Sequence, residues 1–476
     1  MPENIYNYIV EIDALRYGSV AMKDLLRDYI EEKRARLGRD VSLTLLGLGS
    51  TSRAALDILL GMKGVSISLR HPALSNHSLP PSVTVHNSPG SFYEISEDVI
   101  LPSPSLRRER YTIPEGSEYV TDLDLLFAHR PSALFSVSGS DGKSTVTTLS
   151  SMLLRESFPT LFTGGNIGTP LFCASTGSDG FLLELSSFSL RYSVPKNGRA
   201  VLTNVTPNHL DWHANLAEYE ECKIRLIRGC DEPILNLCDP VLERQARGMH
   251  SFALVSDRLR HGEITSRYRT EHTVTVTDGA VRLDGVAVVP IDEIKRKERH
   301  NLINLALATA MSIGYADREQ IHRVASSFEG LSERCESITL GRHHFISSSI
   351  DTTPQRTATT LIGLGRPVRI ILGGRGKGLS LKPLREPLVR FAQRISVYGE
   401  IRCEIEAFID SDRELRRIPH RSFESLGMAI DYACEDLLDG ETVLLSPAAT
   451  SYGEFENYVQ RGRYFKDRIL EICRKI

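Results

Sequence analysis

Short apolar runs that end in glycine and lead into helical periodicity dominate the pattern of this chain. VSLTLLGLGS (41–50) reads as a buried strand entering a glycine turn, SRAALDILLGM carries helical spacing, and VSISLR (65–70) is a second strand. Strand, turn, helix and strand form a βαβ unit, which implies a parallel sheet covered on both faces. The theme returns at ALFSVS (133–138), which enters GSDGKST and then a helix from about Thr145 to Leu154. FLLEL (181–185), AVLTNV (200–205) and PILNL (233–237) are further strands, with the helical segment NLAEYEECKIRLIRG between the last two. Residues 270–291 differ. They alternate apolar and polar positions around Asp278-Gly279, which predicts a β-hairpin by period and by turn chemistry. A helix over 300–312 follows, and VRIILG (368–373), RISVYG (394–399) and TVLLSP (442–447) are the strands of a third set.

The glycine-associated strands at 41, 133 and 368 predict three sheets, each with its own ligand edge. The expected division of this α/β chain is 1–129 (with 1–38 an extension or cap), 130–327 and 328–476. A length of 476 residues suits about three domains. Hydrophobic residues at 41% and charged residues at 25% exclude a mainly disordered or fibrous chain. Lys and Arg number 57 against 60 Asp and Glu, a net charge of −3, so there is no bulk field for nucleic acid. No apolar stretch approaches the ~20 residues that cross a bilayer, and no basic segment precedes an apolar run near the N-terminus. Neither membrane insertion nor a secretory signal is expected. Eight scattered cysteines match no usual metal spacing and read as reduced thiols of a cytoplasmic protein.

The most specific chemistry lies in Ser138-Gly139-Ser140-Asp141-Gly142-Lys143-Ser144-Thr145, between a strand and a helix. The glycines permit a tight turn with inward N–H groups, and the helix start adds unpaired donors and a partial positive charge. Lys143 supplies a cation for the β- and γ-phosphates, and Ser144 a hydroxyl for Mg²⁺. A βα turn with a solvent-facing lysine is the structural alternative. Glu184 ends a strand, where a carboxylate emerges at the ligand edge of a parallel sheet. His209 follows another strand end. Taken alone, Glu184 would be a surface or cap group, His209 a loop hydrogen-bonder and Lys223, beside Glu220 and Glu221, a solvated lysine.

The shortened spacing Gly139-x-x-Gly142-Lys143-Ser144 resembles that of the Mur ligase family, ATP-dependent amide ligases of peptidoglycan assembly. GGNIG (164–168) is similar to a motif of that family, and ELSSFSL (184–190) and LLSPA (444–448) with Ser451, Phe455, Asn457 and Arg461-Gly462 are similar to motifs of its D-glutamate-adding branch. The resemblance covers about residues 41–470. It implies a Rossmann-like first domain holding a uridine nucleotide, a P-loop ATPase-like centre for ATP and a Rossmann-like third domain for the incoming amino acid. The implied reaction adds D-glutamate to UDP-N-acetylmuramoyl-L-alanine through an acyl phosphate, in a chain expected to act as a monomer.

The resemblance also implies the site residues. ATP would lie on 139–145 with Asn301 near adenine, and two Mg²⁺ ions would use Ser144, Glu184, His209 and Lys223, the last as a carbamate. Asn166 would touch the substrate carboxylate, and Arg334 would steady the transferring phosphate. Ser103 would stand near the uridine or diphosphate end, and Lys377, Ser446, Ser451 and Tyr458 would receive D-glutamate.

Several positions depart from the family pattern. Ser52 stands for a third glycine, Ser140-Asp141 for Thr-Asn, Glu298 for the glycine before His300-Asn301, and Glu333 for the histidine before Arg334. Ser348 replaces an aspartate, with Asp351 nearby as a possible substitute. The acid of the glycine-rich segment at 373–378 is missing, and Gly453 replaces an aspartate. These changes cluster in the third domain. They keep open a ligase for another carboxylate or amine, and a nucleotide-binding member of weak or absent turnover.

Overall fold

The computed structural model describes residues 21–71, 79–87, 93–104, 106–166, 169–175, 177–209, 212–331, 333, 335–376 and 379–474. Its strands form three sheets. The first comprises β1 (Val41–Leu46), β2 (Val65–Arg70), β3 (Val83–His86), β4 (Val99–Pro102) and β5 (Glu118–Tyr119), in the order β3-β2-β1-β4-β5. All its pairings are parallel. The order reverses at β1, and such reversals open a crevice at the carboxyl ends of the strands.

The second sheet comprises β6 (Leu134–Ser138), β7 (Phe162–Gly165), β8 (Phe181–Glu184), β9 (Arg199–Leu202), β10 (Glu232–Asn236), β11 (Ser251–Ser256), β12 (Thr270–Thr277), β13 (Ala280–Leu283) and β14 (Val286–Pro290). Its order is β14-β13-β12-β11-β10-β9-β6-β8-β7, antiparallel only from β12 to β14. The hairpin expected over 270–291 is a three-stranded meander. Asp278 and Gly279 turn with φ of 51° and 73°, and Asp284 and Gly285 repeat the chemistry with 49° and 80°.

The third sheet comprises β15 (Glu336–Leu340), β16 (His343–Ser347), β17 (Val368–Gly373), β18 (Ala392–Tyr398), β19 (His420–Phe423) and β20 (Thr442–Ala448), in the order β15-β16-β20-β17-β18-β19. Only β15 and β16 run antiparallel.

Compactness divides the chain into 1–329, which carries the first two sheets, and 330–476. One apolar cluster joins the two sheets of the first unit, running from Leu43 and Leu45 through Phe127 and Phe172 to Phe181 and Leu183. The helix Met22–Leu37 caps the first sheet. Its Met22, Leu26, Tyr29 and Ile30 are buried, and Lys33 and Tyr29 both bind Glu118, the former at 2.9 Å. No helix among the described residues is long and apolar enough to cross a membrane, and all eight cysteines are free thiols.

Candidate functional site

Parallel strands place several of the singled-out residues on one edge of the second sheet. β6 lies between β8 and β9, with Val137 opposite Glu184 and Ser138 opposite Leu202. The chain leaving Ser138 therefore turns beside the ends of both neighbours. Gly139 has φ of 148°, and a side chain there would run into Thr203. Gly142 has φ of 79° and caps the helix Lys143–Leu154; an added Cβ would lie 2.5 Å from Asn304 Oδ1. Only glycine combines that backbone with that close approach.

The loop is stapled to the segment after β9. Asn204 Oδ1 accepts from the Asp141 N–H at 2.9 Å, and Asn204 Nδ2 and Thr203 Oγ1 donate to the Asp141 carbonyl at 3.1 and 2.6 Å. Ser140 Oγ donates to the Thr206 carbonyl at 2.9 Å and meets the Tyr219 hydroxyl at 2.7 Å. Asp141 keeps its side chain exposed, which resolves the difficulty of a carboxylate in a phosphate loop. Lys143 Nζ donates to the carbonyls of Gly139 and Ser140 at 2.9 and 2.8 Å, so its ammonium lies over the loop rather than in free solvent. Ser144 is partly exposed and Thr145 buried in the first helical turn.

Glu184 is 1% exposed. Its Oε1 accepts from Asn166 Nδ2 at 2.8 Å, and its carbonyl from the Asn166 N–H at 2.8 Å. Its Oε2 is buried with no hydrogen-bond partner among the described residues. A buried carboxylate oxygen left unpaired costs roughly 1–3 kcal/mol, which makes Glu184 a candidate ligand-binding group beside the loop.

Lys223 is not the solvated lysine its acidic neighbours suggest. It belongs to the buried stripe Tyr219, Cys222, Lys223, Leu226 and Ile227 of the helix Leu216–Gly229. Its Nζ donates to the Gly139 carbonyl at 2.6 Å. Burial first, and then the Lys143 ammonium, hold its pKa well below the ordinary lysine value, against the opposing charges of Asp141 and Glu184. The Lys223 amine thus sits under the loop in surroundings that disfavour its charged form.

His209 is exposed with φ of 53°, its ring 4.9 Å from Phe188. Beside it is His213, which sequence reasoning did not single out. His213 is buried, its Nε2 lies 2.9 Å from Ser187 Oγ, and burial, then His209, push its pKa down to about 4. It is therefore a neutral spacer between the His209 loop and the start of the helix Ser187–Tyr192. Thr203 and Asn204 were also missed, although a Thr-Asn pair at the end of a strand neighbouring a phosphate loop is a readable signal.

Asn301 lies on the first turn of the helix Arg299–Met311, and its Nδ2 donates to Glu298 Oε2 at 3.0 Å. Asn304, one turn later, is the residue packed against Gly142.

The other predicted positions lie at the remaining sheet edges. Ser103 follows β4, and its N–H donates to the Leu46 carbonyl at 2.8 Å, at the reversal of the first sheet. In the unit 330–476, Thr450 and Arg375 exchange backbone hydrogen bonds of 3.0 Å where β17 and β20 end. Ser446 is fully buried, and its hydroxyl donates to Asp351 Oδ2 at 2.8 Å, which also accepts from Thr360 at 2.7 Å. The Ser446 hydroxyl is thus held by Asp351 Oδ2 within the fold. Ser451 is buried, and Tyr458 is partly exposed at the start of the helix Tyr458–Cys473. Glu333 is buried against Lys466, 2.7 Å away, and Ser347. Arg461 is wholly buried, donating to Ser349 and Ala449. Arg334 and Lys377 lie outside the described residues. The same is true of Ile167 and Gly168 within GGNIG.

Residues 137–312 match the Mur ligase middle domain. The UDP-N-acetylmuramoylalanine–D-glutamate ligase of Ruminiclostridium cellulolyticum is 30% identical over 393 residues, covering 78% of this chain and 82% of that protein. The ligase of the same description from Clostridium tetani is 28% identical over 476 residues, covering 94% and 100%. The crystal structure of the murein peptide ligase Mpl from Psychrobacter arcticus shares the fold with a TM-score of 0.50 at 16% identity, over 89% of this chain and 98% of that one. With its phosphate loop, its strand-end glutamate and relatives matched along most of their length, the chain belongs to the Mur ligase family.

Proposed function

We propose that this chain is an ATP-dependent ligase that joins D-glutamate to UDP-N-acetylmuramoyl-L-alanine, forming ADP and phosphate. The observation that carries the reading is the meeting, at adjacent strand ends, of the loop Gly139–Ser144 with the half-paired, buried carboxylate of Glu184. The relatives' described activity supplies the substrates.

The chemistry follows from the reactants. A carboxylate does not react with an amine in neutral water. Its oxygen therefore attacks the γ-phosphorus of ATP, the bond to ADP breaks, and an acyl phosphate forms. The amine of D-glutamate adds to the acyl carbon, the tetrahedral adduct loses phosphate with its C–O bond pair, and the ammonium proton passes to solvent or a nearby base. Phosphoryl transfer asks the protein chiefly for positioning and positive charge. The loop N–H groups and Lys143 supply both for the phosphates. Asn166, already fixed by Glu184, positions the substrate carboxylate. By the family resemblance, Asn301 would serve adenine and Arg334 the transferring group.

Glu184 Oε2 is the test of whether magnesium fits. An orphaned, buried carboxylate oxygen next to the Ser144 hydroxyl loop is the hard oxygen donor that Mg²⁺ prefers. Ser144 and Glu184 would hold one ion. His209 and Lys223 would help hold a second, with Lys223 as a carbamate; the lowered pKa of its amine favours the uncharged form that reacts with carbon dioxide. Bound magnesium would offset the repulsion between phosphate and carboxylate. The uridine nucleotide belongs to residues 1–129 near Ser103, ATP to 130–327, and D-glutamate to 328–476, with Lys377, Ser451 and Tyr458. A cytoplasmic setting, with ATP and reduced thiols, suits this chemistry.

Phosphate release should require ATP, UDP-N-acetylmuramoyl-L-alanine, D-glutamate and Mg²⁺ together. Turnover with another amino acid, and none with D-glutamate, would reject the assignment.

A further inference from the structure

The start of the helix Arg299–Met311 contains a contact that the family pattern does not, because Glu298 stands where a glycine is usual. Glu298 caps this helix, its carbonyl accepting from the Asn301 and Leu302 N–H groups at 2.8 and 3.0 Å. Its side chain is held on both oxygens. Oε1 lies 3.1 Å from Arg296 Nη2, and Oε2 accepts from Asn301 Nδ2 at 3.0 Å. Against the raising effect of burial, the Asn301 hydrogen bond and the Arg296 charge keep the Glu298 pKa below the ordinary glutamate value.

A carboxylate can only accept, so it fixes which end of the Asn301 carboxamide faces it. One N–H of the amide is committed to Glu298, which holds its nitrogen on that side and turns Oδ1 away from Glu298, with the second N–H beside it. One turn along the same helix, about 4.5 Å, Asn304 packs against Gly142 of the phosphate loop. The oriented carboxamide therefore lies one helical turn from the residue that touches the loop.

Resting on the reading of this loop as the ATP site, we propose that Glu298 is a positioning residue that makes Asn301 a fixed acceptor and so selects a base edge bearing an amino group. Adenine presents a donor at its 6-amino group, whereas guanine presents the O6 acceptor. Two acceptors face to face leave both unpaired, and sites built around a hydrogen bond discriminate strongly against the analogue that cannot make it. A glycine at 298 would leave the carboxamide free to flip and accept either edge.

The test compares ATP with GTP in Glu298→Gln, Glu298→Gly and the parent enzyme, by steady-state kinetics and by direct titration of each nucleotide. Glutamine retains the shape and the backbone cap but offers either end of its amide to Asn301. The ATP:GTP ratio of kcat/KM should fall about tenfold or more in both variants, with the change in KM and matched by the binding ratio. An unchanged ratio in both variants would overturn the proposal, as would a loss borne equally by the two nucleotides. Binding separates this failure from that of the ligase reading. A parent enzyme that prefers ATP in titration but releases no phosphate contradicts the ligase reading alone; one that binds neither nucleotide contradicts both.

Discussion

Replacing Lys143 by alanine is expected to lower ATP-dependent phosphate release by about 10³-fold or more while leaving the fold intact. Removing one preorganised donor from a developing oxyanion commonly costs 10²–10³-fold, and a cation on a transferring phosphoryl group is worth more. The structural cost is small. Lys143 is partly exposed and donates to two carbonyls of its own loop, whose course is set by Gly139, Gly142, Thr203 and Asn204. Thermal unfolding of Lys143→Ala should stay within a few degrees of the parent, as expected for a change of about 1 kcal/mol. Near-full turnover would remove the loop from the mechanism, whereas collapse of the fold would make the lysine a structural residue.

The second large effect is expected at Glu184. Glu184→Gln keeps the volume and an acceptor for Asn166 Nδ2, so the hydrogen bond at 2.8 Å can persist. It removes a buried charge whose second oxygen has no hydrogen-bond partner among the described residues. Stability should therefore hold to about 1 kcal/mol or improve, because an uncompensated buried carboxylate is costly. Turnover should fall by about 10²-fold or more, with a raised Mg²⁺ requirement, since an amide is a poorer ligand for a hard cation. A variant that lost stability but kept the parent's magnesium dependence would show that Glu184 serves packing alone.

Much of this site can be read in the sequence because its backbone demands are severe. A loop that turns under a strand, approaches Asn304 closely and caps a helix requires glycines at 139 and 142, and these stand beside Lys143 and Ser144. Strands such as Val65–Arg70 and Val368–Gly373 were legible for a related reason. Val368–Gly373 is buried throughout and apolar but for Arg369, whereas VSISLR (65–70) alternates apolar and polar residues with the strand period. The pair β15 and β16 was not legible, because Glu336–Leu340 is only partly buried and mixes polar with apolar residues. The turn at Asp284-Gly285 was hidden inside a run that reads as one returning strand, although its chemistry equals that of Asp278-Gly279.

Lys223 shows why local spelling misleads. Glu220 and Glu221 suggest a wet surface, yet the spacing of Tyr219, Cys222, Leu226 and Ile227 puts position 223 on the buried stripe. Strand order was beyond sequence reading as well. Only the sheet reveals that β8 and β9 flank β6 and so bring Glu184 and Asn204 to the loop. In the unit 330–476, the sequence does not reveal that the Ser446 hydroxyl donates to Asp351 Oδ2, a pairing only the fold shows.

Oxygen-18 transfer tests the central claim most directly. UDP-N-acetylmuramoyl-L-alanine labelled in its carboxylate is turned over with ATP, Mg²⁺ and D-glutamate, and the released phosphate is analysed by mass. Activation as an acyl phosphate predicts one labelled oxygen in each phosphate released, because the carboxylate oxygen leaves with the phosphoryl group. Unlabelled phosphate accompanying amide formation would contradict the account.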